Sequence, residues 1–103
     1  MILHEELPDT PFGPHQRNVT VFADGQIDRS PCGSGTSTRL ALLAEDGRLG
    51  SGEDLLHESV TGTVFTGRIL PGGVTEVSGT AYRTGEHAFL ADPYDPLGTG
   101  FLL

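Results

Sequence analysis

The residues best placed to do chemistry run from Asp28 to Arg39, in the order Asp28-Arg29-Ser30-Pro31-Cys32-Gly33-Ser34-Gly35-Thr36-Ser37-Thr38-Arg39. This stretch holds the only cysteine of the chain, behind a Ser-Pro pair and inside a glycine-rich turn. Serine followed by proline predicts a helix N-cap and first helical residue, because proline lacks the amide that would go unpaired there. The first-turn amides of a helix point outward and carry the positive end of its dipole. Cys32 is therefore a candidate reactive thiolate facing an anionic ligand, whose carboxylate the free N–H groups would hold. The same spacing also suits a buried, inert cysteine at a tight turn.

Other elements must position this loop. Met1 to Gln16, with Pro8, Pro11, Gly13 and Pro14 among acidic residues, reads as an irregular or disordered lead-in. Asn18 to Ala23 alternates β-formers with period two and predicts a strand, with Asp24-Gly25 as the turn after it. Thr36 to Asp46 predicts a helix ended by Gly47. Its Leu40-Ala41-Leu42-Leu43-Ala44 run is apolar on every side, the pattern of a helix buried all round, as when a sheet wraps it. Glu58 to Leu70 and Val74 to Thr84 read as β-rich segments around a Pro71-Gly72-Gly73 turn, and Glu86 to Ala91 as a shorter strand. A weak echo joins Thr61–Gly67 to Ser78–Gly85, and glycines in paired strands permit sharp curvature or close approach of another segment. Chance similarity in a chain rich in glycine and threonine explains the echo equally well. The fold class expected is α+β, a curved β-sheet or partial β-barrel around a central helix.

Composition narrows the function. A chain of 103 residues makes one domain at most, near the lower limit for a self-sufficient core. With 36% apolar residues, no tryptophan and 15 glycines, it suits a turn-rich β protein that leans on another lobe. A formal net charge of −8 argues against nucleic-acid backbones and anionic membranes, which need basic patches. No apolar run approaches a membrane span and no signal peptide is legible, and a lone cysteine forms no intrachain disulfide; the expected location is the cytoplasm. All six basic residues are arginines, so the lysine Schiff base of a pyridoxal-phosphate enzyme is closed to this chain. His4, His15, His57 and His87 show no metal-ligand spacing and read as surface or strand residues. Neither a metal nor a cofactor is expected.

The Asp28–Ser37 stretch resembles the second active-site motif of the proline racemase and 4-hydroxyproline epimerase family. The likeness continues in Asn18-Val19-Thr20-Val21-Phe22-Ala23-Asp24, in Phe65-Thr66-Gly67, in Tyr82–Phe89 and in Asp95–Leu103. It covers the chain from about Asn18 onward, so residues 1–17 stand as lead-in and 18–103 as a C-terminal lobe portion. Members of the family are longer, two-lobed chains whose N-terminal lobe carries a second catalytic cysteine in a Cys-Gly-His motif. That motif does not occur in this sequence.

The resemblance implies a diaminopimelate-epimerase-like lobe, with two catalytic cysteines at helix N-termini facing each other across a cleft. It implies a cofactor-independent racemase or epimerase acting on proline or 4-hydroxyproline, in which Cys32 is one acid/base and a missing N-terminal lobe, or a homo-oligomer, supplies the other. By motif position Gly33, Ser34 and Gly35 would hold the substrate carboxylate through backbone N–H groups, Asp28 would pair with its ammonium, and Phe22 would pack on its ring. Each has a plainer alternative: Asp28 as a cap of the loop, Phe22 as core, and the glycines as residues of the turn alone. The related trans-3-hydroxyproline dehydratases are similar but carry threonine at the position of Cys32, so cysteine favours inversion over elimination. With one thiol in the chain, a non-catalytic domain binding a small anionic or amino-acid ligand is the alternative function, and a thiol sensor a third.

Overall fold

The computed structural model describes residues 1–100 and 102, with one α-helix, a single 3-10 turn at Ala23–Gly25 and six strands among them. The strands are β1 (Ile2–Thr10), β2 (Gly13–Phe22), β3 (Gln26–Ile27), β4 (Leu55–Ser59), β5 (Val64–Ile69) and β6 (Thr75–Ser78), and the helix is α1 (Gly33–Glu45). The first element corrects the expectation of an irregular lead-in. Residues 2–10 form an antiparallel hairpin with β2, in register from Ile2 opposite Thr20 to Leu7 opposite His15. The prolines that suggested disorder sit where the ladder needs no amide. Pro8 and Pro14 fall in the register shift between Leu7 and Thr10, and Pro11 falls in the turn.

The sheet order is β1-β2-β4-β5-β6, with β3 pairing the end of β2. Only β2 and β4 run parallel, and α1 makes the crossover that a parallel pair requires. The sheet is mixed and open, and the fold is α+β. Along β2, Gln16, Asn18 and Thr20 are buried, and along β4 Leu55, His57 and Ser59. The period of two therefore turns a largely polar face inward. β5 closes against β4 and β6 against β5, the last pair joined by the predicted glycine turn at Gly72 and Gly73, both at positive φ.

The helix extends from three residues before the expected start to one before the expected end. At its C-terminus Gly47 adopts φ +69°. The Arg48 amide donates to the Leu43 carbonyl at 2.8 Å and the Gly47 amide to that of Ala44 at 3.1 Å, so the last turn's carbonyls are satisfied. Leu40 and Leu43 are fully buried with Leu49 and Leu55, and Ile69 and Val77 pack on this cluster. The close seat of α1 on β5 depends on Gly67, where an added Cβ would lie 2.9 Å from Leu40 Cδ1. The expectation of a helix buried all round does not hold. An open sheet covers one stripe only, and Ala41 and Leu42 remain exposed.

Beyond β6 the chain departs from the sheet. Residues 79–100 contain no strand or helix and are exposed, so the expected strand over Glu86–Ala91 is not formed and that over Val74–Thr84 shrinks to Thr75–Ser78. β-propensity is realised only against a neighbouring strand, and none lies beside these segments among the described residues. The radius of gyration, 18.1 Å, exceeds the roughly 13 Å of a compact chain this long for the same reason. Phe101 and Leu103, part of the C-terminal likeness, lie outside the described residues.

Candidate functional site

The predicted helix start is displaced by two residues. The N-cap is Cys32 rather than Ser30. The Ser30 hydroxyl does not cap the helix but accepts from the Cys32 amide at 3.1 Å, while Asp28 Oδ1 accepts from the Ser30 amide at 2.8 Å. Two short side chains thus fold the approach into consecutive turns. The Pro31 carbonyl accepts from Asn18 Nδ2 at 2.7 Å, which ties the loop to the inner face of β2.

Cys32 itself has φ +66° and ψ +121°, a backbone conformation side chains rarely adopt. Its sulfur lies 3.4 Å from the Gly35 amide, which donates to it, and 3.4 Å from the Ser34 hydroxyl. The Thr36 amide donates to the Cys32 carbonyl at 2.9 Å. Helix geometry gives the Gly33 and Ser34 amides no acceptor within α1. Gly33 has open space around a would-be Cβ, as an approach to a ligand requires. Gly35 is different: it is buried, and its missing Cβ makes room for Ile2 Cδ1, 2.7 Å from that position. Gly35 therefore serves packing and the sulfur contact, and its amide is already engaged.

Beneath the loop lies a buried polar layer. The Thr36 hydroxyl donates to the Cys32 carbonyl at 2.8 Å and stands 2.9 Å from His57 Nδ1. His57 is 1% exposed, so it is a strand histidine but not a surface one. Burial, with the Arg39 guanidinium and His4 adding to it, lowers its pKa to about 4. Its Nε2, and the buried Asn18 Oδ1 and Thr20 Oγ1, have no hydrogen-bond partner among the described residues. Sequence reading passed over Asn18, Thr36 and His57. The available signal was Gln16, Asn18 and Thr20 repeating at every second position of a strand, a polar inner face.

Of the other expected site residues, Asp28 belongs to the same hydrogen-bonded loop as Cys32, through Ser30. Phe22 ends β2 and is 52% exposed, so it is not core. A cleft of about 280 Å³ opens beside the helix mouth between Ile2, His4, Ser34, Gly35, Arg39 and His57. Arg39, on its lining, is held by Glu6, whose carboxylate receives Gln16 Nε2 at 2.8 Å, Arg48 at 2.8 Å and Arg39 at 3.1 Å. The bonds from Arg48 above all, then Gln16 and the Arg39 charge, outweigh burial and hold Glu6 at a pKa of about 2. This brace joins β1 to α1 and to the segment after it.

The likeness to a known family runs the length of the chain. Residues 1–102 match the proline racemase family, and the chain belongs to it. The match includes the first strand, where sequence reading found little resemblance. The chain is 44% identical over 106 residues to a proline racemase of Acetoanaerobium sticklandii, covering 93% of this chain and 32% of that one. It is 50% identical over 95 residues to a trans-3-hydroxy-L-proline dehydratase of Bacillus thuringiensis, covering 84% of this chain and 28% of the relative. Among solved structures it is similar to a hydroxyproline epimerase from Agrobacterium vitis with bound trans-4-hydroxy-L-proline, at 32% identity and a TM-score of 0.65, over 99% of this chain and 31% of that one. The chain thus spans about a third of the length of the relatives it matches.

Proposed function

We propose that this chain is the C-terminal lobe portion of a cofactor-independent racemase or epimerase acting on proline or 4-hydroxyproline, with Cys32 as one of two acid/base thiols. β1 belongs with this portion, because it pairs with β2 along most of its length. The observation that carries the reading is the Cys32 sulfur at the mouth of α1 beside the Gly33 and Ser34 amides. Removing the α-proton of an amino acid builds negative charge beside a carboxylate already charged. Fixed amides aimed at that charge stabilise it without reorganisation. Inversion then needs one base on each face of the carbon.

Cys32 supplies one base. The other comes from a second lobe, in the rest of a longer chain, in a separate chain or in a second copy. Gly33 and Ser34 hold the carboxylate, and the exposed Phe22 ring packs on the pyrrolidine. Asp28, one oxygen of which accepts from Ser30, has the other for the substrate ammonium. Further strands would carry the sheet past the exposed Ala41 and Leu42 side of α1, completing the wrapped, diaminopimelate-epimerase-like lobe. Sequence identity does not separate racemase from dehydratase, since relatives of both kinds match. Cysteine at position 32 favours inversion over elimination, and the same chemistry without disulfide or membrane span fits a cytoplasmic enzyme. Among the described residues no helix is long and apolar enough to cross a membrane.

The test is a chimera in which this chain replaces the corresponding third of the Acetoanaerobium sticklandii enzyme. In D₂O the chimera is expected to place deuterium at the α-carbon of L-proline with loss of optical rotation, and Cys32→Ser to abolish both. The isolated chain should do neither. A folded chimera that exchanges nothing would overturn the reading in favour of a non-catalytic ligand-binding domain.

A further inference from the structure

We propose that His57, acting through Thr36, is a positioning residue that holds the strained backbone of Cys32 and so aims its thiol at the helix mouth. This rests on the reading of Cys32 as the working thiol. The argument begins with one proton. The Thr36 hydroxyl has a single hydrogen and three neighbours, the Cys32 carbonyl at 2.8 Å, His57 Nδ1 at 2.9 Å and, at the limit of hydrogen-bond distance, the Pro31 carbonyl at 3.5 Å. A carbonyl can only accept, so the hydroxyl donates to Cys32. His57 must then donate from Nδ1, which assigns the Nδ1–H tautomer and leaves the lone pair on Nε2.

The rest of the site agrees with that assignment. Nε2 is buried and lacks a partner, and burial keeps the ring neutral near pH 7. Either choice of donor at Nδ1 leaves Nε2 unsatisfied, so the tautomer is decided at Thr36. β4 therefore fixes Thr36, and Thr36 fixes the Cys32 carbonyl with both its hydroxyl and its amide. Two bonds on one carbonyl oppose the rotation that would relax φ +66° toward the allowed region. That rotation would carry the sulfur off the Gly35 amide, 3.4 Å away.

Two measurements on the intact chain test this. Long-range proton–nitrogen correlation spectra of wild-type protein should show His57 protonated at Nδ1 and bare at Nε2, and the reverse tautomer would overturn the proposal without any variant. The second is the rate of Cys32 alkylation by iodoacetamide, which needs the thiolate and so reads the thiol's surroundings. Thr36→Val and His57→Leu are each expected to slow alkylation several-fold, by similar factors, and the double variant no further. His57→Asn, whose amide nitrogen can occupy the place of Nδ1, should return the rate to within about twofold of wild type. A merely structural histidine would not be rescued this way. Wild-type alkylation in folded Thr36→Val would overturn the proposal, and because that variant leaves His57 in place it decides the matter even if His57→Leu fails to fold. The outcome is independent of turnover: the predicted rates with an inactive chimera would keep the positioning role and remove the racemase reading.

Discussion

At the C-terminal end of α1 the buried residues are Leu40, Leu43, Leu49 and Leu55, with Ile69 and Val77 against them; at the N-terminal end they are Asn18, Thr20, Thr36, His57 and Ser59. The difference is energetic as well as chemical. Burying a leucine contributes about 1.5–3 kcal/mol, whereas a hydrogen bond nets roughly 0.5–1.5 kcal/mol and an unpaired buried polar atom costs about 1–3 kcal/mol. The polar end leaves three such atoms without partners and holds Cys32 at positive φ. Stability is thus concentrated at one end of the helix and constraint at the other. The constrained end carries the thiol.

The largest effect should come from the leucine end. Leu40→Ala is expected to cost about 2–5 kcal/mol in urea denaturation, through lost burial and the cavity left behind. Gly67→Ala alone should cost about 1–3 kcal/mol, because the new methyl meets Leu40 at 2.9 Å. Since that methyl would partly fill the Leu40 cavity, the double variant should be less destabilised than the sum, and strict additivity would show that the two do not share a space.

Titration separates the buried histidine of the polar end from the Glu6 brace, which ties β1 to α1 and to Arg48 beyond it. The folded pKa of His57 lies at about 4, below the unfolded reference of about 6.5, so between these values the unfolded chain binds more protons. Stability should therefore be complete above about pH 6.5 and fall by up to about 3 kcal/mol as pH drops toward 4. His57→Asn should flatten that window. Glu6 is held at about 2, so its contribution is full above about pH 4.5 and is lost as pH falls toward 2. Its carboxylate is 44% exposed, and solvent screening limits the effect to under about 1 kcal/mol, which Glu6→Gln should remove. A His57→Asn profile identical to wild type above pH 4 would break the contrast between the ends.

An effect of similar size tests strain directly. Cys32→Gly removes the side chain that disfavours φ +66° and should raise stability by about 1 kcal/mol in the same urea assay, while removing the thiol. A loss of stability would mean that the sulfur's contact with the Gly35 amide outweighs the strain.

Much of the loop was legible because its chemistry is local. Cys32, the helix with its Gly47 stop and the Pro71-Gly72-Gly73 turn all depend on conformational preferences of neighbouring residues, whereas Gly33-Ser34-Gly35, expected as a turn, forms the first turn of α1. The displaced N-cap shows the limit of local reading, since Ser30-Pro31 has the composition of a helix start. A distant residue decided otherwise: Asn18 holds the Pro31 carbonyl and the helix begins after Cys32. The first strand was missed for a related reason, because its prolines suggested disorder until the pairing register placed them at a bulge and a turn.

The sequence by itself determined the single thiol, the acidic surface without lysine, the helix and the family likeness around Cys32. Tertiary structure alone decided which face of β2 turns inward, that His57 is buried beneath Thr36, and that the helix is covered on one side only. The physical reason is that preferences for turns and caps act over a few residues, whereas burial and hydrogen-bond partnership depend on which strands become neighbours. His57 and Thr36 are 21 residues apart in the chain and meet only because β2 and β4 pair in parallel across α1.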